Sequence, residues 1–180
     1  MEQEEALGQI GLIDLVHRVL TKAGIAHWLG GGWAVDFCLG RITRIHEDVD
    51  FAVWAEDWPR IESLLGNEGL TLKPPDFPEE ARRMLGGSTD LEFWMLVRDD
   101  QGRTVVGGRW LDWPFRAGAF DAPEGALGGV ACPVLSPEAL LDSKAEYAKQ
   151  PHGSPLRARD AADILLLREL IDARGRRRQA

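Results

Sequence analysis

Cysteine is almost missing from this 180-residue chain, with Cys38 and Cys132 its two thiols. They stand far apart and belong to no CxxC or Cys/His spacing, which leaves no disulfide framework and no local zinc motif to read. Two reduced, buried thiols are the expectation. Long hydrophobic runs are missing too: no apolar stretch approaches the ~18 residues that a membrane span needs. The opening Met-Glu-Gln-Glu-Glu lacks the basic and apolar regions of a signal peptide. A cytoplasmic protein with no membrane partner is therefore expected. The glycines at 30–32 are followed by no Gly-Lys-Ser/Thr and show no GxGxxG order, which excludes a P-loop and a dinucleotide fold. No internal repeat or low-complexity tract is visible.

Positive charge is also short. The net charge is −8, and because Arg174, Arg176, Arg177 and Arg178 bring four positive charges, residues 1–173 carry −12. Such a body repels nucleic acid and attracts cations, so a cationic small molecule is the better partner. What is abundant is tryptophan, with seven residues, more than a core of this size needs. Some of them are expected on a binding surface.

Helical spacing of Ile10, Ile13, Val16 and Leu20, stopped at Gly24, predicts a first amphipathic helix. Residues 25–30 read as a short strand entering the glycines, then a short helix from Trp33 to Leu39 ending at Gly40. Residues 48–54 read as a strand, and Asp57 to Leu65 as a helix with Asp57 as N-cap and Pro59 in its first turn. Residues 90–97 predict another strand, with 103–107 returning beside it after a polar turn. Residues 108–131, rich in Gly, Trp and Pro, read as an irregular substrate loop. Ser136-Pro137-Glu138 opens a helix to about Gln150, and a last helix covers 157–173 with Ile164, Leu167, Leu170 and Ile171 inward. The fold class is α/β (α+β): a small mixed sheet flanked by helices, then a C-terminal helical piece. The expected division is a core over 1–131 and a helical segment over 132–180 packed on it, or one single domain.

The chemistry begins at Asp48-Val49-Asp50. Alternate side chains of a strand share a face, so Asp48 and Asp50 project together while Val49, Phe51 and Val53 face a core. Two adjacent carboxylates repel unless a cation lies between them, and Mg²⁺ typically takes one or two carboxylates plus substrate phosphates. Upstream, Gly30-Gly31-Gly32 lies between a strand and a helix, where bare N–H groups can hold phosphate. Arg41, Arg44 and His46 lie between the two motifs, placed to meet a triphosphate. Trp110 and Trp113, beside Asp112, Asp121 and Glu124, offer aromatic faces and carboxylates suited to a polycationic sugar. Core packing and a solvated loop explain the same residues. His17, His27 and His152 have no partner pattern in the sequence.

The run from Leu29-Gly30-Gly31-Gly32-Trp33-Ala34-Val35-Asp36 through Leu39-Gly40-Arg41-Ile42-Thr43-Arg44-Ile45-His46-Glu47-Asp48-Val49-Asp50-Phe51 resembles the signature of antibiotic nucleotidyltransferases. The aminoglycoside 2″-O-nucleotidyltransferases and the lincosamide nucleotidyltransferases are the most similar families. The resemblance is close over 28–54 and looser to the 90–97 strand and the C-terminal helices. It implies a polymerase-β-like nucleotidyltransferase fold, Mg²⁺ on Asp48 and Asp50, and triphosphate contacts at the Gly31-Gly32 turn; two Mg²⁺ ions are expected, to activate the hydroxyl and to stabilise the leaving oxygen. It also implies a third catalytic carboxylate on a neighbouring strand, for which Asp90 is favoured as a metal ligand and Glu92 is the alternative. A lysine matching Lys144 would meet the triphosphate, with Tyr147 one helical turn on. Asp160 reads as a first-turn acid of the last helix.

The activity so implied is transfer of a nucleoside monophosphate, AMP from ATP or another nucleoside triphosphate, to a hydroxyl of an aminoglycoside-type antibiotic. Three readings compete with it: a lincosamide nucleotidyltransferase, a tRNA-modifying nucleotidyltransferase toxin, and a catalytically silent nucleotide-binding member. The identity of the small molecule, the preferred nucleotide and the oligomeric state are not written in these motifs.

Overall fold

The computed structural model describes residues 2–179. Helix α1 (Glu2–Lys22) leads to strand β1 (His27–Leu29), helix α2 (Gly31–Leu39) and strand β2 (Asp48–Trp54). Helix α3 (Trp58–Asn67) is followed by β3 (Thr71–Lys73), β4 (Ala81–Gly86), β5 (Thr89–Arg98) and β6 (Thr104–Val106). Strands β7 (Gly125–Leu127) and β8 (Val130–Cys132) precede helices α4 (Pro137–Tyr147) and α5 (Ala158–Gln179). The architecture is the mixed α/β one that the hydrophobic patterning predicts.

The main sheet has the order β1-β2-β5-β4-β3, with β6 on the far half of β5. The central pair β2 and β5 runs parallel and every other neighbour antiparallel. Parallel register sets Asp48 opposite Asp90 and Asp50 opposite Glu92. Alternation then divides the faces. Val49, Phe51, Val53, Leu91 and Phe93 are fully buried in one cluster with Ile13, Val16, Ile61 and Leu65 of α1 and α3, and the Phe51 and Phe93 rings stack at 5.8 Å. The carboxylates lie on the opposite face, so the core that fixes the backbone of β2 is the other side of the strand that carries the chemistry.

Several local expectations are corrected. Helix α2 starts at Gly31 rather than Trp33, so the glycine turn is itself the helix N-terminus, and Gly40 ends the helix at φ 68°. Asp57 does not cap α3 with its side chain; a 3₁₀ turn over Ala55–Asp57 runs straight into the helix and Asp57 pairs with Arg60 at 3.7 Å. Strands β3 and β4 fall where no element is expected. Only Met84 of β4 is buried there, and Arg82-Arg83 hides the alternation. The stretch 108–131 is not irregular throughout, since β7 and β8 form a hairpin whose Gly125 lies so close to Phe37 that a Cβ would sit 2.8 Å from its side chain.

The cap at Ser136 behaves as its sequence suggests, its hydroxyl accepting from the Ala139 amide at 3.2 Å. Helix α5 does not stop near residue 173; it runs on to Gln179 and takes Arg174, Arg176 and Arg177 with it. Among the described residues no helix is long and apolar enough to cross a membrane.

Candidate active site

Gly31 and Asp50 lock together. Gly31 has φ +58°, and a Cβ there would overlap the Asp50 carboxylate oxygen, so any side chain would displace that group. The Gly30 amide donates to the Asp50 carbonyl at 2.8 Å, tying the start of α2 to the middle of β2. The unpaired amides of a helix N-terminus therefore lie beside Asp50, where an anionic group can be held.

Gly32 is pressed from below. A Cβ on it would collide with the Arg44 guanidinium and lie 2.5 Å from His46 Nδ1. His46 is 3% exposed and its Nε2 bonds Asp36 at 2.7 Å, while Asp36 also accepts from the Thr43 amide at 3.1 Å. Gln9 donates to the His46 carbonyl and accepts from Trp33 Nε1. His46 thus supports the glycine turn from inside and does not line the cavity. Arg41 is exposed and also lies outside it.

The cavity above these elements has a volume of about 770 Å³. Gly31, Gly32, Arg44, Asp48, Asp50, Glu92, Lys144, Trp110 and Trp113 line it, whereas Asp90 and Asp112 do not. Asp90 pairs with Lys73 at the sheet edge. Glu92, two residues along the same strand, is held by Arg83 at 2.9 Å. Of the two candidates for a third carboxylate, the fold brings Glu92 beside Asp50 and leaves Asp90 outside.

Burial pushes the Asp50 carboxyl up to about 8, with the neighbouring charges of Asp48 and Glu92 adding to the effect and Lys144 and Arg157 opposing it. Negative charge at this point of the cavity is under-compensated, which is what a cation would relieve. Asp48 and Glu92 both act on Asp50, but the oxygens of the three carboxylates do not all lie within 4.8 Å of one another.

Basic groups form the opposite wall, on α4 and α5. Lys144 pairs with Asp163 at 2.8 Å and Asp160 at 3.5 Å, and Arg44 reaches the same Asp163 at 3.2 Å. Burial pushes the Asp160 carboxyl up, yet the Arg157 hydrogen bonds and the Lys144 charge together hold it below its ordinary range. Asp160 is thus more than a first-turn acid, and Asp163, 1% exposed, is the hub that sequence reasoning missed.

Aromatic residues close the outer half. The Trp110 ring stacks on Tyr147 at 5.3 Å and meets Trp113 at 5.9 Å and His152 at 6.2 Å. Glu80, also unforeseen, anchors that loop: it accepts from Arg109 and from Trp110 Nε1 at 3.0 Å. The Arg109 hydrogen bonds hold its carboxyl below the usual range. No short motif marks Glu80, since its partner lies 29 residues on.

A family profile described as Aminoglycoside-2''-adenylyltransferase matches residues 12–167. A 2''-aminoglycoside nucleotidyltransferase of Escherichia coli is 38% identical over 56 residues, 29% of this chain and 32% of that protein. One of Klebsiella pneumoniae matches to the same extent, so the chain spans about a third of the length of these curated relatives. Among solved structures, ANT(2'')-Ia in complex with adenylyl-2''-tobramycin superposes with TM-score 0.71 at 21% identity, covering 96% of this chain and 99% of that one. The lincosamide adenylyltransferase LnuA, lincomycin-bound, gives TM-score 0.64 at 22% identity over 93% and 96%. These likenesses carry the fold, a nucleotidyltransferase one. With a profile spanning most of its length, the chain belongs to the aminoglycoside-2''-adenylyltransferase family.

Proposed function

We propose that this chain is an enzyme that transfers a nucleoside monophosphate, AMP from ATP, to a hydroxyl of an aminoglycoside-type small molecule. The observation that carries the reading is the under-compensated carboxylate group of Asp48, Asp50 and Glu92 facing a helix N-terminus and Lys144 in one cavity. The amides at Gly31 and Gly32 and the cations of Arg44 and Lys144 hold the triphosphate. Asp48 and Asp50 would hold Mg²⁺, two ions if the site follows two-metal phosphoryl-transfer chemistry, which when bound would neutralise the polyphosphate and polarise the reacting phosphoryl group. Glu92, fixed by Arg83, accepts the acceptor's hydroxyl proton. The freed oxygen forms its bond to the α-phosphorus as the bond to the β-phosphate oxygen breaks, and pyrophosphate leaves. Positioning and charge account for most of the rate.

On the outer side, Trp110, Trp113 and Tyr147 present ring faces near the carboxylates of Asp142 and Glu146, a wall suited to an amino sugar. A second reading rests on the same wall. Glu80 and Glu92 are each neutralised by an arginine, which also suits a less cationic, amphipathic acceptor of the lincosamide kind. Pyrophosphate release measured with a panel of aminoglycosides and lincosamides against each nucleoside triphosphate, with and without Mg²⁺, decides between them. Failure of every acceptor in both classes to support release would remove the small-molecule reading.

A further inference from the structure

We propose that His17, His27 and Cys132 form a binding site for one borderline transition-metal ion of the Zn²⁺ class, remote from the carboxylates. The three residues come from α1, β1 and β8, and their ligand atoms all lie within 4.8 Å of one another. The site is at the other end of the sheet: His27 is paired with Val53, whereas the carboxylates begin at Asp48.

Each group is prepared for the role. His27 Nδ1 lies 2.8 Å from the Ile25 carbonyl, an acceptor, so Nδ1 carries the proton and Nε2 presents a bare lone pair. A backbone carbonyl fixing the far nitrogen is how proteins orient metal-binding imidazoles. The His27 lone pair faces His17 Nδ1 at 2.9 Å, a hydrogen-bond contact that has to open to roughly 3.3 Å for both nitrogens to share a tetrahedral ion with bonds of about 2.0–2.1 Å. Cys132 is fully buried, and its thiol donates to the Pro133 carbonyl at 3.5 Å, a weak hydrogen bond that metal binding would replace. Two imidazoles and a thiolate are the nitrogen and sulfur donors that Zn²⁺ prefers. His17 is half-buried at the rim of the trio, which leaves a fourth position for water. A bound metal ion replaces the thiol proton.

Binding involves no redox change. The Cys132 thiol releases its proton to solvent as the metal–sulfur bond forms, and His17 moves its proton from Nδ1 to its other ring nitrogen. Without metal, the same atoms form a hydrogen-bonded histidine pair beside a thiol.

Co²⁺ titration of the full-length, EDTA-treated, reduced protein tests the site. One equivalent should produce a thiolate-to-cobalt charge-transfer band in the near ultraviolet with tetrahedral visible bands, and Zn²⁺ should displace it. The band should be lost in Cys132→Ser and His17→Gln, and kept in Asp50→Asn, because carboxylate-bound Co²⁺ gives no thiolate transition. His17→Gln lies at the rim, so it retains the fold if the buried Cys132→Ser does not. Absence of the band in the native chain, or a band and a Zn²⁺ affinity unchanged in both variants (an adventitious ion only), overturns the proposal.

Discussion

Replacing Asp50 by Asn should make the metal-free protein more stable while abolishing its activity. The side chains are nearly isosteric, so the turn at Gly31 keeps its packing while the charge disappears. Asp50 rises from its ordinary 3.8 to about 8 through burial and the charges of Asp48 and Glu92. At 1.36 kcal/mol per tenfold change in the protonation equilibrium, full expression of that displacement is worth about 6 kcal/mol. Asp50 is only partly buried, so solvent screening reduces this, and about 2 kcal/mol is the working figure. The folded protein holds the Asp50 proton more tightly than the unfolded chain, so native stability falls as pH rises from about 4 to about 8. Asn has no such dependence. Urea denaturation in EDTA should therefore find the two proteins equal near pH 4 and Asp50→Asn ahead by about 2 kcal/mol at pH 8, a rise in Tm of about 4–8 °C. Mg²⁺ should narrow that gap by stabilising only the native sequence. Equal stability of the two at pH 8, or a variant weaker at every pH, would refute the charge argument.

Other substitutions separate the roles of neighbouring residues. Glu92→Gln should lower kcat by about 10²–10⁴-fold while Asp90→Asn, altering a carboxylate paired with Lys73 outside the cavity, keeps most of the pyrophosphate release. Gly31→Ala should cost about 1–3 kcal/mol through its φ of +58° and remove turnover, with circular dichroism confirming that the fold survives. Asp163→Asn strands Lys144 and Arg44 without their shared partner; a loss of about 3 kcal/mol in urea titration is expected, together with a higher KM for nucleotide. Trp110→Ala should raise the KM for the acceptor and leave that for the nucleotide unchanged, a split that steady-state kinetics with each substrate varied in turn would detect.

What the sequence makes legible follows the range of the interaction. The strand at 48–54 is readable to the residue because alternation is local: Val49, Phe51 and Val53 are buried and Asp48 and Asp50 are not. The Gly31 turn is readable because a left-handed φ and a close carboxylate both demand glycine. His46 carries the opposite lesson. Its place between Gly31 and Asp48 suggests a phosphate contact, yet the fold turns its ring inward to Asp36, ten residues earlier, and no spacing rule distinguishes a ring that supports a turn from one that faces a ligand. The choice between Asp90 and Glu92 is of the same kind, since both occupy one strand face and the decision lies with Lys73 and Arg83 on strands whose charge conceals their alternation. His17, His27 and Cys132 lie furthest beyond reach: 105 residues separate His27 from Cys132 in a chain with no metal spacing. Only the packing of α1 and β8 around β1 brings them together. A zinc motif in sequence is a local loop, so ligands gathered by tertiary structure leave no trace there, and the Co²⁺ titration can find what the spacing cannot.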